Sequence, residues 1–319
     1  MKDEARYVMI KELGKGAFGY VFEAQDTYKN QRVAIKRIEK VGKALSREYE
    51  ILWELKDSLH CVNMIECFYT RTNNQSLVQN VVFEFLEDDL EKVITRYAKS
   101  KIDMPERLIK LYAYQIFKGL EEIHQKNIVH RDLKPENILK TSADYVKIAD
   151  FGSSKFLDGS TKNTPYIVSR YYRAPELLLC VTNYNFKIDI WAAGCIIAEM
   201  AIKEVLFKGR DEGAQLFEIF KLIGSMNVNE KEYYGRQVNF LDKYIDQIPI
   251  YPRDDKKLSN LYNCFSEPNI AKTFFEQIFR IVPTARLSAT EALNHRFFAE
   301  TKIEYEMMMR NLALGDRSN

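Results

Sequence analysis

His130-Arg131-Asp132-Leu133-Lys134-Pro135-Glu136-Asn137 is followed, 18 residues after Asp132, by Asp150-Phe151-Gly152, and the 27-residue segment that opens at Asp150 closes on Ala174-Pro175-Glu176. Working outward toward the N-terminus, Gly14-Lys15-Gly16-Ala17-Phe18-Gly19-Tyr20-Val21 fits G-x-G-x-x-G-x-V, and Val33-Ala34-Ile35-Lys36 comes next. Glycines let a backbone approach phosphates and turn N–H groups toward them. Alone they decide little. A dinucleotide fold would need a helix directly after them and an acid about 20 residues on. Here a strand-like run follows instead, Lys36 stands 17 residues after Gly19, and Glu48 follows 12 residues later on a predicted helix. A strand lysine by itself is usually a solvated surface residue. One held by a carboxylate keeps its charge and its aim when desolvated, which gripping α/β-phosphates requires.

The periodicity places these blocks on elements. Residues 7–38 alternate apolar and polar positions and predict a hairpin and a third strand ending in Val33-Ala34-Ile35-Lys36. Leu45, Tyr49, Leu52 and Leu55 repeat every three or four residues and predict a helix over 43–57. Strands are expected at 62–70 and 78–85, the second buried because Val81-Val82-Phe83 is short, apolar and β-rich. After Glu87-Asp88-Asp89 the character becomes helical: Asp103 and Pro105 mark a helix start, and Leu108, Tyr112, Ile116, Leu120 and Ile123 form one apolar stripe. Further helices are expected at 186–202, 211–223, 270–281 and 288–298. Pro249, Pro252 and Pro268 make 224–268 read as irregular. The expected fold class is therefore α+β: a small β-rich lobe (1–86), a larger helical lobe (87–300) and a short C-terminal tail (301–319), with a cleft between the lobes as the usual place for a ligand.

Composition narrows the partners. Lys plus Arg number 47 and Asp plus Glu 45, a net charge of +2, which gives no basis for nucleic acid or a membrane surface as the main partner. The longest uncharged apolar run, Ile190 to Ala198, falls far short of the ~20 residues a bilayer span needs. The opening MKDEARYVMIKELG mixes acids and bases without an apolar stretch, so no secretory signal is expected. Five cysteines without a C-x-x-C pair predict neither zinc nor a disulfide framework, and place the chain in the cytoplasm or nucleus.

The H-R-D-x-x-x-x-N, D-F-G and A-P-E blocks, with the Gly-rich loop and VAIK in the same order, resemble the eukaryotic protein kinases over about residues 7–300. The resemblance implies a bilobal kinase fold, ATP and Mg²⁺ as cofactors, and protein substrates with Ser/Thr acceptors. Its Asp-Leu-Lys-Pro-Glu-Asn form resembles Ser/Thr rather than tyrosine kinases. By the same resemblance Asp132 accepts the proton of the attacking hydroxyl, Asn137 and Asp150 hold Mg²⁺, and Lys134 lies near the γ-phosphate. Val21 and Ala34 above and Leu139 below would enclose the adenine. Glu84-Phe85-Leu86 would bond its edge through the backbone, and Phe83 would act as gatekeeper. For Val21, Ala34 and Leu139 a plain core role is the bland alternative. Trp191 is expected in the core and Arg286 in a pair with Glu176. A pseudokinase scaffold, which would have lost Lys36, Asp132 or Asp150, and a small-molecule kinase, which would lack the Ala174-Pro175-Glu176 platform, are the rival readings.

Thr164-Pro165-Tyr166-Ile167-Val168-Ser169-Arg170-Tyr171-Tyr172-Arg173 resembles the CMGC group. Together with Asp150-Phe151-Gly152-Ser153-Ser154-Lys155 and Pro283-Thr284-Ala285-Arg286-Leu287 it is most similar to the glycogen synthase kinase-3 family. That family binds a phosphate already on the substrate through three cations, which map to Arg47, Arg131 and Lys155. Tyr166 matches its activation-loop tyrosine, with Arg170 and Arg173 as receivers of the phosphate. Two departures stand out. Thr164 and Tyr166 form a T-x-Y as in mitogen-activated protein kinases, which leaves a proline-directed enzyme activated on both residues as the alternative. Phe83-Glu84-Phe85-Leu86 and Asp89-Leu90 resemble cyclin-dependent kinases, yet Lys43-Ala44-Leu45-Ser46-Arg47-Glu48 lacks their PSTAIRE helix, so a cyclin is not expected. Scaffold proteins are candidate partners, although 224–268 matches neither family and docking through it does not carry over.

Overall fold

In the computed structural model, residues 6–16, 19–40, 46–72, 74–157, 169–238 and 249–315 are described. Five strands, β1 (Tyr7–Gly16), β2 (Gly19–Asp26), β3 (Gln31–Lys40), β4 (Met64–Arg71) and β5 (Leu77–Glu84), form one antiparallel sheet in the order β1-β2-β3-β5-β4. Side chains alternate across a strand. Val33 and Ile35 of β3 accordingly bury themselves on one face with Tyr7, Ala24 and Val82, while Ala34 and Lys36, in the opposite phase, turn to the other. That other face carries helix α1 (Arg47–Glu54), whose Ile51 and Leu52 join Val81 in the main core. Ser46 caps α1 by accepting from the Tyr49 N–H at 3.3 Å. The described helix is shorter at both ends than the expected 43–57, residues 41–45 lying outside the described set.

Beyond Glu84 the chain crosses to the helical part. β6 (Asp88–Asp89) pairs with β8 (Ile138–Lys140), and β8 with β9 (Val146–Ile148). Helix α2 (Leu90–Ser100) leaves little periodic trace in the sequence, because its buried apolar stripe of Leu90, Val93 and Ile94 is only one turn long. Its start is fixed by Asp89, which accepts from the Lys92 N–H at 2.9 Å. Helix α3 (Glu106–Gln125) buries the expected stripe, Tyr112, Ile116, Leu120 and Ile123. Strand β7 (Ile128–Val129) pairs with β10 (Lys155–Phe156), and a short helix α4 (Pro175–Leu178) follows. Helix α5 (Lys187–Ile202) is apolar round most of its surface and buried on every side, with Asp189 and Glu199 buried among the apolar residues. Helix α6 (Glu212–Ile223) starts on the Asp211 cap.

Residues 224–268 are not irregular throughout, which corrects the sequence expectation. Helix α7 (Val228–Gly235) is started by a reciprocal Asn227–Glu230 capping box, and Asp255–Tyr262 by Asp254. Caps and three buried side chains, Leu258, Leu261 and Tyr262, outweigh the nearby prolines. Pro268, read as a breaker, instead opens the helix Pro268–Ile278 at its first turn. Helices Ala289–Leu293 and Ala299–Gly315 end the described chain. Trp191 sits in the core against Phe207 and Phe279. Arg286 bonds Glu176 at 2.9 and 3.1 Å with both groups buried. The architecture is α+β, a sheet region followed by a helical region, and no helix among the described residues is long and apolar enough to cross a membrane.

Candidate active site

The two regions meet at Lys36. Lys36 is 8% exposed, and its ammonium lies 2.6 Å from the Glu48 carboxylate on α1 and 2.7 Å from Asp150. Burial by itself would push the Lys36 ammonium toward neutrality. The Glu48 and Asp150 charges outweigh it and hold its pKa above the ordinary value. Burial likewise opposes the Asp150 carboxylate, but the Lys36 charge holds it ionised below the usual range. Asp150 keeps 42% of its side chain exposed, so it is tethered at one oxygen and open to the cleft. Its backbone lies in the left-handed region (φ 61°), where Asp is among the few tolerated side chains, and its carboxylate accepts from the Gly152 N–H at 3.4 Å.

The turn that carries Asp132 is fixed from below by Asp189 of α5. Asp189 accepts from the His130 N–H and the Arg131 N–H, both at 2.9 Å, and pairs with His124 at 3.0 Å. Burial opposes its charge, yet His124 and the backbone donors keep it ionised. This grip stabilises Arg131 in the left-handed region (φ 73°), which costs of order 1 kcal/mol. His130 accepts from the Asp132 N–H through Nδ1 (3.3 Å), so Nε2 carries the proton donated to the Ala149 carbonyl at 2.9 Å. Asp132 itself, 4% exposed, gathers donors: Ser169 N–H at 3.1 Å on Oδ1, and Asn137 Nδ2 at 3.3 Å and Lys134 Nζ at 3.5 Å on Oδ2. Asn137 Nδ2 also donates to the Asp132 carbonyl at 2.8 Å. The amide nitrogen is thereby committed to Asp132, which leaves the amide oxygen as the group that could meet a cation. The Ala149 N–H donates to the Asn137 carbonyl at 2.8 Å, so Asn137 and Asp150 flank one backbone bond. One amide oxygen and one held-ionised carboxylate are hard donors that fit Mg²⁺.

Val21, Ala34, Phe83, Phe85, Leu86 and Leu139 are all half-buried, neither sealed in the core nor fully open. Val21 pairs in register with Lys36, and Ala34 with Phe83. The Glu84 side chain is pinned by Lys147 at 2.5 Å and by the Asn63 N–H at 2.8 Å. Gly14, Lys15 and Gly16 end β1 and Gly19 opens β2; Lys15 lies over the Tyr20 ring at 5.1 Å. Ala17, Phe18, Thr164 and Tyr166 lie outside the described residues.

Of the three cations read as a phosphate site, Arg131 donates to the Ser153 carbonyl at 2.5 Å and the Tyr184 hydroxyl at 3.0 Å. Lys155 opens β10, and α1, which begins at the exposed Arg47, lies against that strand. Arg170 donates to the Arg210 carbonyl at 2.6 Å, and Arg173 pairs with Glu212 at 3.3 Å. Sequence reasoning missed three contributors: Asp189, Ser169 and Tyr184. Asp189 carried a signal, an acid inside an apolar helix, where a charge needs partners. Ser169 acts here through its backbone N–H, which leaves no trace in residue type.

A comparison with known families matches residues 7–298 to the protein kinase domain. The chain belongs to the protein kinase family. It is 37% identical over 298 residues to "Probable serine/threonine-protein kinase glkA" of Dictyostelium discoideum, covering 93% of this chain and 59% of that relative. It is 35% identical over 298 residues to "Protein kinase gsk3" of Schizosaccharomyces pombe, covering 93% and 75%. The chain thus spans about three fifths and three quarters of the length of these two relatives.

Proposed function

We propose that the chain is an ATP- and Mg²⁺-dependent protein serine/threonine kinase of the glycogen synthase kinase-3 type, acting on substrates that already carry a phosphate. One observation carries the phosphotransfer reading: a single buried ammonium shared by Glu48 from one lobe and Asp150 from the other. In this reading residues 1–86 and 87–300 are the two lobes and 301–319 the C-terminal tail. Lys36 binds the α/β-phosphates, and Gly14, Lys15, Gly16, Ala17, Phe18 and Gly19 cover them. Val21, Ala34, Phe83 and Leu139 hold the adenine, whose edge meets the Glu84, Phe85 and Leu86 backbone. Asn137 and Asp150 hold Mg²⁺, which supplies charge neutralisation on the transferring group. Asp132 orients the acceptor hydroxyl and takes its proton as the oxygen–phosphorus bond forms and ADP leaves, while Lys134 offsets charge on the transferred oxygens.

The primed-substrate reading rests on Arg47, Arg131 and Lys155 standing on adjacent elements and on the printed name of the second relative. Tyr166 is proposed as a modification site, for which Arg173 would exchange Glu212 for phosphate. Protein substrates and scaffolds in the cytoplasm or nucleus are the proposed partners, without a cyclin.

A peptide assay tests this. Serine and threonine peptides should be phosphorylated and the matched tyrosine peptide should not. A phosphate four residues C-terminal to the acceptor should raise kcat/KM about tenfold or more, and Arg47→Ala should remove that gain with little effect on the unprimed peptide. Equal losses on both peptides would end the primed reading. A demand for proline after the acceptor, regardless of priming, would favour the mitogen-activated type.

A further inference from the structure

The segment that joins α1 to β4 is held by a residue far outside the cleft. His60 is 2% exposed and uses both ring nitrogens: Nδ1 meets the Glu122 carboxylate of α3 at 2.6 Å, and Nε2 meets the Tyr305 hydroxyl at 2.7 Å. Tyr305 belongs to the C-terminal helix Ala299–Gly315. With Thr301 and Met308 it forms the inward stripe of that helix, one residue per turn. Its ring packs on His60 (5.8 Å) and on Tyr114 of α3 (5.1 Å). Tyr145 closes the other side, 5.7 Å from the His60 ring, and donates its hydroxyl to the Leu59 carbonyl at 2.7 Å. Ser58 donates to Glu122 and accepts from the His60 and Cys61 N–H groups. The fit is tight from α3 as well: a Cβ added at Gly119 would lie 3.1 Å from the His60 Cβ and 2.8 Å from the Ile148 Cδ1.

This segment connects directly to both partners of Lys36. On one side the Ser58 N–H donates to the Leu55 carbonyl at the end of α1, the helix that carries Glu48. On the other, the His60 carbonyl accepts from the Ile148 N–H at 2.7 Å and the Val62 N–H donates back to the Ile148 carbonyl at 2.9 Å, two residues before Asp150. The loop is therefore clamped to the base of α1 and to the strand that delivers Asp150.

We propose that Tyr305 is a positioning residue for phosphoryl transfer: through His60 it makes the C-terminal helix a strut that sets where Glu48 and Asp150 meet Lys36. The proposal deepens the kinase reading and rests on it. Tyr305 touches neither nucleotide nor substrate; it acts by restricting the α1–β4 segment. Without its hydroxyl the His60 ring loses one of two anchors, and the base of α1 gains freedom to swing Glu48 away.

The test is amide hydrogen exchange of the full chain, with steady-state kinetics on the same preparations, for Tyr305→Phe and Met308→Ala. Tyr305→Phe deletes a single oxygen and keeps the ring stack, and its thermal transition checks that it folds. It should speed exchange of the α1 amides about fivefold, the equivalent of one lost neutral hydrogen bond. It should also lower kcat by a similar factor with the peptide KM unchanged. Met308→Ala, on the same face one turn on, should lower the melting temperature and leave α1 exchange and kcat at wild-type values. Wild-type exchange and turnover in a folded Tyr305→Phe would overturn the strut, as would equal loosening of α1 by Met308→Ala. A wild-type chain that transfers no phosphate would count against the kinase reading alone, since the exchange measurement still decides the strut.

Discussion

Lys36 works because it is never alone. A buried ammonium with no partner would give up its proton, and a buried Glu48 with no partner would take one up. At 2.6 and 2.7 Å the two carboxylates keep it charged, while the openness of Asp150 leaves the pair short of a sealed salt bridge. The neighbouring ladder leaves little room for error. Gly19 opens β2 at φ +151°, and a Cβ there would lie 2.0 Å from the Arg37 carbonyl oxygen, next to Lys36 on β3. We therefore expect Gly19→Ala to cost about 2 kcal/mol or more and to weaken ATP binding about tenfold, because the β2–β3 ladder must shift where Lys36 is held. Denaturant unfolding and nucleotide titration check this; unchanged values would mean that the strand relaxes freely there.

Among the elements, α5 carries a buried acid that the site does not use. Glu199 is buried, accepts from the Tyr172 hydroxyl at 2.8 Å, and has its pKa pushed up to about 7 by burial. An acid whose folded value exceeds its unfolded value favours the fold while protonated, and that contribution fades as pH rises from about 4.5 toward 7. Glu199→Gln keeps an acceptor for Tyr172 without the charge. The variant should match the wild type near pH 5 and exceed it by about 2 kcal/mol at pH 8 in chemical denaturation. A constant difference across that range would contradict the assignment.

The same scale explains what the sequence could tell. β3, α3 and α6 were legible because their apolar spacing matches a single period, and α5 because it is apolar round most of its surface. α2, α7 and Asp255–Tyr262 were not, because their starts are set by side-chain caps at Asp89, Asn227 and Asp254, and their apolar stripes are short. In the site, Lys36, Glu48, Asp132, Asn137 and Asp150 stand out as residue types at telling intervals. The Ser169 N–H does not, since it is backbone, and Asp189 shows only as an acid within an apolar helix, its partners lying 58, 59 and 65 residues away.

Seen whole, the molecule is two packed regions held within and across by long-range ties. Arg286 reaches Glu176 across 110 residues, Tyr305 reaches His60 across 245, and Lys36 reaches Asp150 across 114. The first organises the helical region, the second buttresses the α1–β4 segment, and the third closes the seam where the phosphates are proposed to sit. The division of labour across that seam makes a sharp prediction. In the proposed mechanism Lys36 would grip nucleotide from the sheet side and Asp132 would move a proton from the helical side, so binding and transfer should be separable. The decisive measurement is phosphate transfer to a serine peptide by Asp132→Asn, with ATP affinity measured on the same protein. Affinity should stay within about threefold of the wild type while transfer falls about a thousandfold. Transfer at the wild-type rate would contradict the account.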